Sequence, residues 1–337
     1  MRPIVFLFPH DRMDVGGNSA QVRFQHACAR FTAVSAASYG PRVAGWDHLD
    51  DVLAHTATGP EAPIFAIHWG PDIAMLLDRL RGRDVVYFAH SSGWGMRIAP
   101  QVPILCVSRN TQAYWGRRAP NNWIAHVPNV IDVPNVIDPP PAAPAPARDI
   151  DVLVQTRKSS RYLLERLVPA LRPHCRVVLL DGWVDDLGAW MRRSKVYLYD
   201  SVEHWIAVGA SEGFGLPPLE ALAQGCVVFS SVNDALSDYL DPAVNCHKLR
   251  VHSLAWDVEQ VRHAVAAQAP RPQDAAFLEP YAPAVVAQRL ERLFTGIEAF
   301  FAHTVRHTPD IADPWAQRRP TPLQRAKRMI RALAANE

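Results

Sequence analysis

Short apolar runs recur along this chain, and most of them end in a glycine, a histidine or a serine. Ile4–Phe8, 33–38, 63–68, Asp84–Phe88, Ile104–Val107 and Ile124–Val127 follow one another, with segments of helical character or polar loops between them. Runs this short and continuously apolar suit strands buried on both faces, and alternation with helices predicts a parallel sheet covered on both sides. The rhythm breaks at a proline-rich stretch and then restarts. Asp151–Gln155, Cys175–Leu180, Val196–Tyr199, Val227–Ser230 and Lys248–Val251 make a second set, with helices expected over 162–171, 187–193, 233–240, 253–267 and 283–302.

The break is a tandem hexamer, Val127-Pro-Asn-Val-Ile-Asp132 then Val133-Pro-Asn-Val-Ile-Asp138, followed by Pro139-Pro-Pro-Ala-Ala-Pro-Ala-Pro-Ala147. A stretch of that composition is extended and semi-rigid. It divides the 337 residues into two Rossmann-like α/β units, 1–128 and 149–304, joined by a linker over 129–148 and followed by a basic tail over 305–337. In open parallel sheets, ligands bind beyond the carboxyl ends of the strands. Two such sheets joined by one linker are expected to face each other across a cleft.

Composition narrows the function. Net charge is +2, which gives no global field for nucleic acid. Residues 1–128 carry +3, 129–148 carry −1, 149–304 carry −4 and 305–337 carry +4. The five cysteines, 28, 106, 175, 226 and 246, are scattered without a Cys-x-x-Cys pair and suit buried thiols in a reducing compartment. The apolar start is too short for a signal peptide, and no run is long enough to span a bilayer. The histidines form no His-Glu-x-x-His motif, so no metal site is expected. Asp149-Ile-Asp151 opens a strand and reads as structural. The tail 318–331 is a basic amphipathic candidate for touching anionic lipid, or equally a solvated terminal helix.

The chemistry concentrates in Ser211-Glu-Gly-Phe-Gly-Leu-Pro-Pro-Leu-Glu220-Ala-Leu-Ala-Gln-Gly225. Prolines 217 and 218 suit a helix start and Gly225 its stop. Backbone N–H groups at such a start attract a phosphate, with Gly215 and Leu216 the donors. A carboxylate near that end cannot hold phosphate but can accept hydrogen bonds from a diol. A nucleotide-sugar diphosphate combines both features. Gly16-Gly17, after the first strand, is a second phosphate-cradle candidate, although the Gly-x-Gly-x-x-Gly fingerprint of a dinucleotide site is absent.

Glu212-Gly-Phe-Gly-Leu-Pro-Pro-Leu-Glu220 resembles the Glu-x(7)-Glu signature of retaining glycosyltransferases of the GT-B fold, family 4 in particular. Gly16-Gly17, His90 after its strand, Leu105-Cys-Val-Ser108, Val127-Pro-Asn-Val-Ile-Asp132, Asp181-Gly-Trp183 and 238–246 resemble other segments of that family, so the likeness covers most of the chain. The resemblance implies a nucleotide-sugar donor in the second domain and a glycan or lipid-linked acceptor in the first. It implies transfer of a hexosyl or deoxyhexosyl group with retention, and no metal or other cofactor. Glu212 and His90 would serve the reacting sugar. Glu220, with Gly182 and Trp183, would take the ribose and nucleotide. Arg157, with Lys158 or Arg161, would neutralise the diphosphate; the family's lysine comes later in this loop, so the second clamp stays open. Glu203-His204-Trp205 either lines the sugar pocket or packs the loop. A cytoplasmic enzyme of surface-glycan synthesis is the expectation, with peripheral contact at the inner membrane face as its variant. A nucleotide-sugar epimerase and a non-catalytic GT-B partner subunit are the alternatives.

Overall fold

The structure, a computed structural model, describes residues 1–13, 16–131, 147–267 and 275–316. Two parallel sheets organise it. The first has seven strands: β1 (Ile4–Phe8), β2 (Val34–Ser38), β3 (Asp47–His48), β4 (Ile64–Ile67), β5 (Val85–Ala89), β6 (Ile104–Cys106) and β7 (Ile124–His126), in the order β3-β2-β1-β4-β5-β6-β7. The second has five: β8 (Ile150–Gln155), β9 (Val177–Leu180), β10 (Ser194–Tyr199), β11 (Val227–Ser230) and β12 (Cys246–Lys248), in the order β12-β11-β10-β8-β9. Every pairing within both sheets is parallel. These are the two parallel-sheet α/β units expected from the sequence.

The apolar runs are strands because each residue of a central parallel strand meets a covered face. Ile4, Phe6 and Phe8 of β1 point one way, into a cluster with Phe24, while Val5 and Leu7 point the other way, toward Leu49, Ile73 and Leu76. All five β1 residues are buried. A one-residue slip would exchange the two sets, so the register of Ile4 opposite Val34 and Ile64 is fixed by packing. In β8 the same alternation sends Leu153 to one face and Val152 and Val154 to the other.

The first cluster does not stop at the domain boundary. It continues through Val127, Val130 and Ile131 to Leu153, Phe214 and Leu219 of the second domain, and on to Leu290 and Phe294. The last two lie on the long helix Pro283–Thr304. That helix leaves the second domain and packs on the Gly16–Cys28 helix of the first. Phe294 meets Phe31, Phe300 meets Trp123 edge-on, and the Arg2 N–H donates to Glu298. Residues beyond it continue along the first domain. Trp315 Nε1 donates to the Arg117 carbonyl at 2.7 Å, and Asn121 donates to the Ile311 carbonyl at 3.0 Å.

Several elements differ from the sequence reading. The first helix begins at Gly16, so the two glycines form its first turn rather than a loop before it. The segment carrying Glu203-His204-Trp205 is a helix, Val202–Val208, which ends on Gly209 in the left-handed region at φ 70°. Two-residue β3 and the Leu49–His55 helix carry too little apolar pattern to be seen in advance. The last strand sits at Cys246–Lys248, two residues earlier than expected, because Arg250 and His252 take positive φ and end the extended run. The helix expected over 162–171 opens as a π-turn over Tyr162–Leu167 before Val168–Leu171. All five cysteines are buried thiols. No described helix is long and apolar enough to cross a membrane. Most of the linker and the basic segment 318–331 lie outside the described residues.

Candidate active site

The helix Leu216–Ala223 carries the centre of the site. Gly215 caps its start at φ 79°, ψ 66°, a conformation that favours glycine, and a Cβ there would also run into Leu236 and Tyr239. The Tyr239 hydroxyl donates to the Gly215 carbonyl and holds the turn. Pro217 and Pro218 have no N–H, so Gly215 and Leu216 supply the donors at this end, and neither N–H has an intramolecular acceptor among the described residues. At the other end, Gly225 (φ 75°) lets the chain reverse. Its N–H reaches the Leu222 carbonyl and that of Cys226 the Ala221 carbonyl, both at 2.9 Å. Arg148 adds a positive charge there by donating to the Gln224 carbonyl at 2.6 Å.

Glu212 lies just before this helix and is only 4% exposed. Its Oε2 accepts from the Tyr199 hydroxyl at 2.6 Å and from Trp205 Nε1 at 2.9 Å, which leaves Oε1 uncommitted among the described residues. Its backbone is held as well. The Glu212 N–H donates to Asp234 at 3.1 Å, and its carbonyl accepts from the Ala235 N–H. Asp234 and the neighbouring β-branched Val232 both sit at positive φ, 53° and 47°. Strain of this kind gathers where a loop is aimed by its surroundings. Burial and the adjacent Glu212 push the Tyr199 phenol far above its usual range, so it remains a donor to the carboxylate.

The loop after β8 reaches the same place. Lys158 adopts a left-handed backbone (φ 62°) and sets its Nζ 4.5 Å from the centre of the Trp205 ring. One tryptophan therefore donates to Glu212 and carries the lysine on its face. Burial first, then the Lys158 charge, keep the His204 imidazole below its ordinary pKa; Arg157 contributes in the same sense. Arg161, by contrast, turns outward. Its guanidinium pairs with Glu165 at 3.1 Å on an exposed face, while its N–H donates to Glu203 at 2.7 Å. The same Glu203 accepts from Arg250, which also donates to buried Asp200, and so the Val202–Val208 helix is fixed against the loop. Gly182 (φ 77°) follows β9, and Trp183 beside it is 57% exposed.

The first domain contributes its strand ends. His90 follows β5, and its Nε2 lies 2.9 Å from the Gln21 Oε1; His68, after β4, reaches Asn18 at 3.0 Å. Gln21 and Asn18 project from the Gly16–Cys28 helix and are fully buried. Burial holds the His90 imidazole down to about 3, so it is neutral at physiological pH. Gly17 brings its Cα close to the Trp69 ring, where an added Cβ would lie at 3.3 Å.

The two halves touch. Ser92 Oγ and Ser211 Oγ are 2.6 Å apart and buried. Gly213 packs on the His90 carbonyl so closely that a Cβ would overlap it. Gly93 (φ 100°) abuts the Gly209 carbonyl, where a Cβ would lie at 2.6 Å. The carboxylate of Asp238 accepts the Arg109 N–H and so caps the first-domain helix Arg109–Arg118; burial raises its pKa. Glu220 Oε1 meets Arg23 Nη1 at 2.9 Å. The structure thus gathers Glu212, Lys158, Gly215, Leu216 and His90 along one seam and leaves the Arg161 side chain outside it. Sequence reasoning passed over Tyr199, Gln21, Asn18 and Arg23; the only available signal was a polar residue inside an otherwise apolar strand or helix face. Among the described residues no group of three or more His, Cys, Asp or Glu side chains could hold a metal. The pair His303 and His307, at His-x(3)-His spacing, stacks at 4.0 Å at the far end of the last long helix.

No protein-family model matches the chain, and no curated protein sequence does either. Solved structures do. A glycosyltransferase from Rickettsia africae ESF-5 superposes with a TM-score of 0.63 at 11% identity, over 88% of this chain and 98% of that one. The pneumococcal O-GlcNAc transferase GtfA, solved with UDP and GlcNAc, gives 0.62 at 9% identity over 88% and 99%. Anabaena HepE, solved with UDP and glucose, gives 0.60 at 13% identity over 88% and 100%. At these identities the likeness establishes a shared fold: the chain has the two-domain architecture of GT-B glycosyltransferases.

Proposed function

We propose that the protein is a retaining glycosyltransferase, similar to family 4, that moves a sugar from a nucleotide-sugar to a hydroxyl of a glycan or lipid-linked acceptor. The observation that carries this reading is the arrangement around Trp205. A buried carboxylate, Glu212, and an ammonium, Lys158, are held on one indole, beside the Gly215 and Leu216 N–H groups, which have no acceptor among the described residues, and opposite a neutral histidine of the other domain. A donor needs the cationic and N–H groups for its diphosphate and the carboxylate for its sugar. The solved structures of the same fold include proteins bound to UDP and a sugar, which supports a nucleotide-sugar donor.

In this reading the bond between the anomeric carbon and the β-phosphate oxygen breaks, and its electron pair passes to the phosphate. Lys158, Arg157 and the two N–H groups stabilise the growing negative charge without a metal. Glu212 faces the cation-like sugar. The acceptor oxygen bonds to the anomeric carbon on the face the phosphate leaves, and its proton goes to the departing phosphate. No covalent glycosyl-enzyme is required. His90 is neutral, so it positions a hydroxyl by hydrogen bonding rather than by charge. Glu220 takes ribose hydroxyls, and Trp183, exposed beside Gly182, offers a face to the base. The setting is cytoplasmic synthesis of a surface glycan.

A thermal-shift screen of UDP, GDP and ADP and their sugars tests the donor half, because a ligand bound to the native state raises its melting temperature. The screen should give a hit with one base, and nucleoside diphosphate release should then follow addition of cell-derived acceptor and persist in EDTA. No stabilisation by any of these ligands would defeat the reading.

A further inference from the structure

Arg23 stands in the second turn of the Gly16–Cys28 helix, in the first domain, yet its guanidinium crosses to the second. Its Nη1 donates to Glu220 Oε1 at 2.9 Å and to the Val130 carbonyl at 3.0 Å. Val130 belongs to the segment connecting the domains, and its neighbour Ile131 donates its N–H to the Tyr281 carbonyl at 3.1 Å. Both side chains of the pair are largely shielded, at 26% and 17% exposure. An ion pair so placed is screened less than a surface pair, and removing one partner leaves the other charge poorly solvated.

The same helix holds His90 through Gln21, two residues away. At about 100° per residue, positions 21 and 23 point about 200° apart. One helix therefore grips the strand-end histidine on one side and the Glu220 carboxylate on the other.

We propose that Arg23 is a positioning residue for the donor. It fixes the plane of the Glu220 carboxylate, so that Oε2 and the second lone pair of Oε1 face the ribose diol, and through the Val130 carbonyl it makes that alignment depend on how the two domains are set. This proposal rests on the reading that Glu220 binds ribose. A carboxylate that reads two hydroxyls must hold its plane, and Glu220 has no other side-chain partner among the described residues. Without Arg23 it would rotate toward solvent, and donor affinity would fall while the chemistry of bound donor changed little.

The test is a double-mutant cycle on the full chain. Binding of the tightest of UDP, GDP and ADP is measured by calorimetry for wild type, R23Q, E220Q and the double variant, with donor KM and kcat measured for each single variant. R23K and melting temperatures serve as controls for folding. R23Q is expected to weaken nucleotide binding about tenfold and raise KM with kcat within about threefold, R23K to recover part of the loss, and the double variant to bind no more weakly than E220Q. Losses that add in the double variant would mean that Arg23 does not act through Glu220, and the proposal would fall. Normal binding by R23Q alongside weak binding by E220Q would also overturn it while sparing the ribose reading. Normal binding by E220Q would remove the ribose reading and this proposal with it.

Discussion

The contact between Gly213 and the His90 carbonyl invites the most direct test of how the halves cooperate. In G213A the new methyl group would overlap that oxygen, and the loops would have to part by about 2 Å before it reached ordinary van der Waals distance. The neighbour is backbone, so no rotamer change relieves the clash. Gly213 is not among the glycines at positive φ, so alanine should cost little within its own domain. The strain therefore falls on the seam, where Ser92 and Ser211 also meet at 2.6 Å. Displacing a reacting group by as little as 1 Å can cost about 100-fold in rate, so we expect kcat to fall by that order or more. Nucleoside diphosphate affinity should fall less, by about tenfold at most, because the second-domain groups proposed to hold the nucleotide keep their places and only the Arg23 contact to Glu220 depends on the seam. Stopped assays of transfer together with calorimetric titration of the nucleotide separate the two effects. Wild-type kcat in G213A would refute the idea that reaction requires this seam.

Three further outcomes follow from the site. K158A should weaken nucleoside diphosphate binding about tenfold while R161A changes it less than twofold, since only the first lies on Trp205; equal effects in a titration would reverse that assignment. Y199F removes one of two donors to buried Glu212 and should lower stability by about 1–3 kcal/mol, measured by urea unfolding; an unchanged midpoint would count against a tied carboxylate. Burial holds His90 to about 3 and His126 to about 4, against 6.5 when exposed. The unfolded chain therefore binds more protons between those values, and stability should fall as pH drops from about 6.5 toward 4, with a shallower slope in H90Q; a flat profile over that window would contradict neutral, half-buried imidazoles.

Much of the architecture was legible because parallel strands advertise themselves. Val85–Ala89 and Val227–Ser230 are apolar on both faces and sit between residues that end strands, so their existence and their place in a two-sheet chain could be read directly. The Leu216–Ala223 helix was equally visible, bracketed by Gly215-Leu-Pro-Pro at one end and Gly225 at the other. What stayed hidden depends on contacts between distant parts of the chain. Arg161 and Lys158 are indistinguishable as cations in a loop; their roles separate only because Glu165 is one helical turn from the former and Trp205 lies under the latter. Arg23 reads as a solvent-facing charge until the second domain brings Glu220 to it, 197 positions further along. The glycines at 93 and 213 look like ordinary loop residues; for Gly213 the reason for glycine is the opposing domain, and for Gly93 the opposing domain adds to a left-handed backbone.

The course of the last long helix has a consequence for how the molecule is made. Val286, Leu290, Phe294 and Ile297 complete an apolar cluster that begins with β1, yet they are translated long after it. The seven-stranded sheet is synthesised before this helix and must wait, one flank uncovered, until the helix has emerged. Domains usually finish folding in the order they are translated, but here the sheet made earlier cannot close before the later helix has been delivered. A nascent chain stalled after β12 should therefore be sensitive to protease and bound by chaperones along the Phe31 flank, whereas one stalled once the Pro283–Thr304 helix has emerged is not.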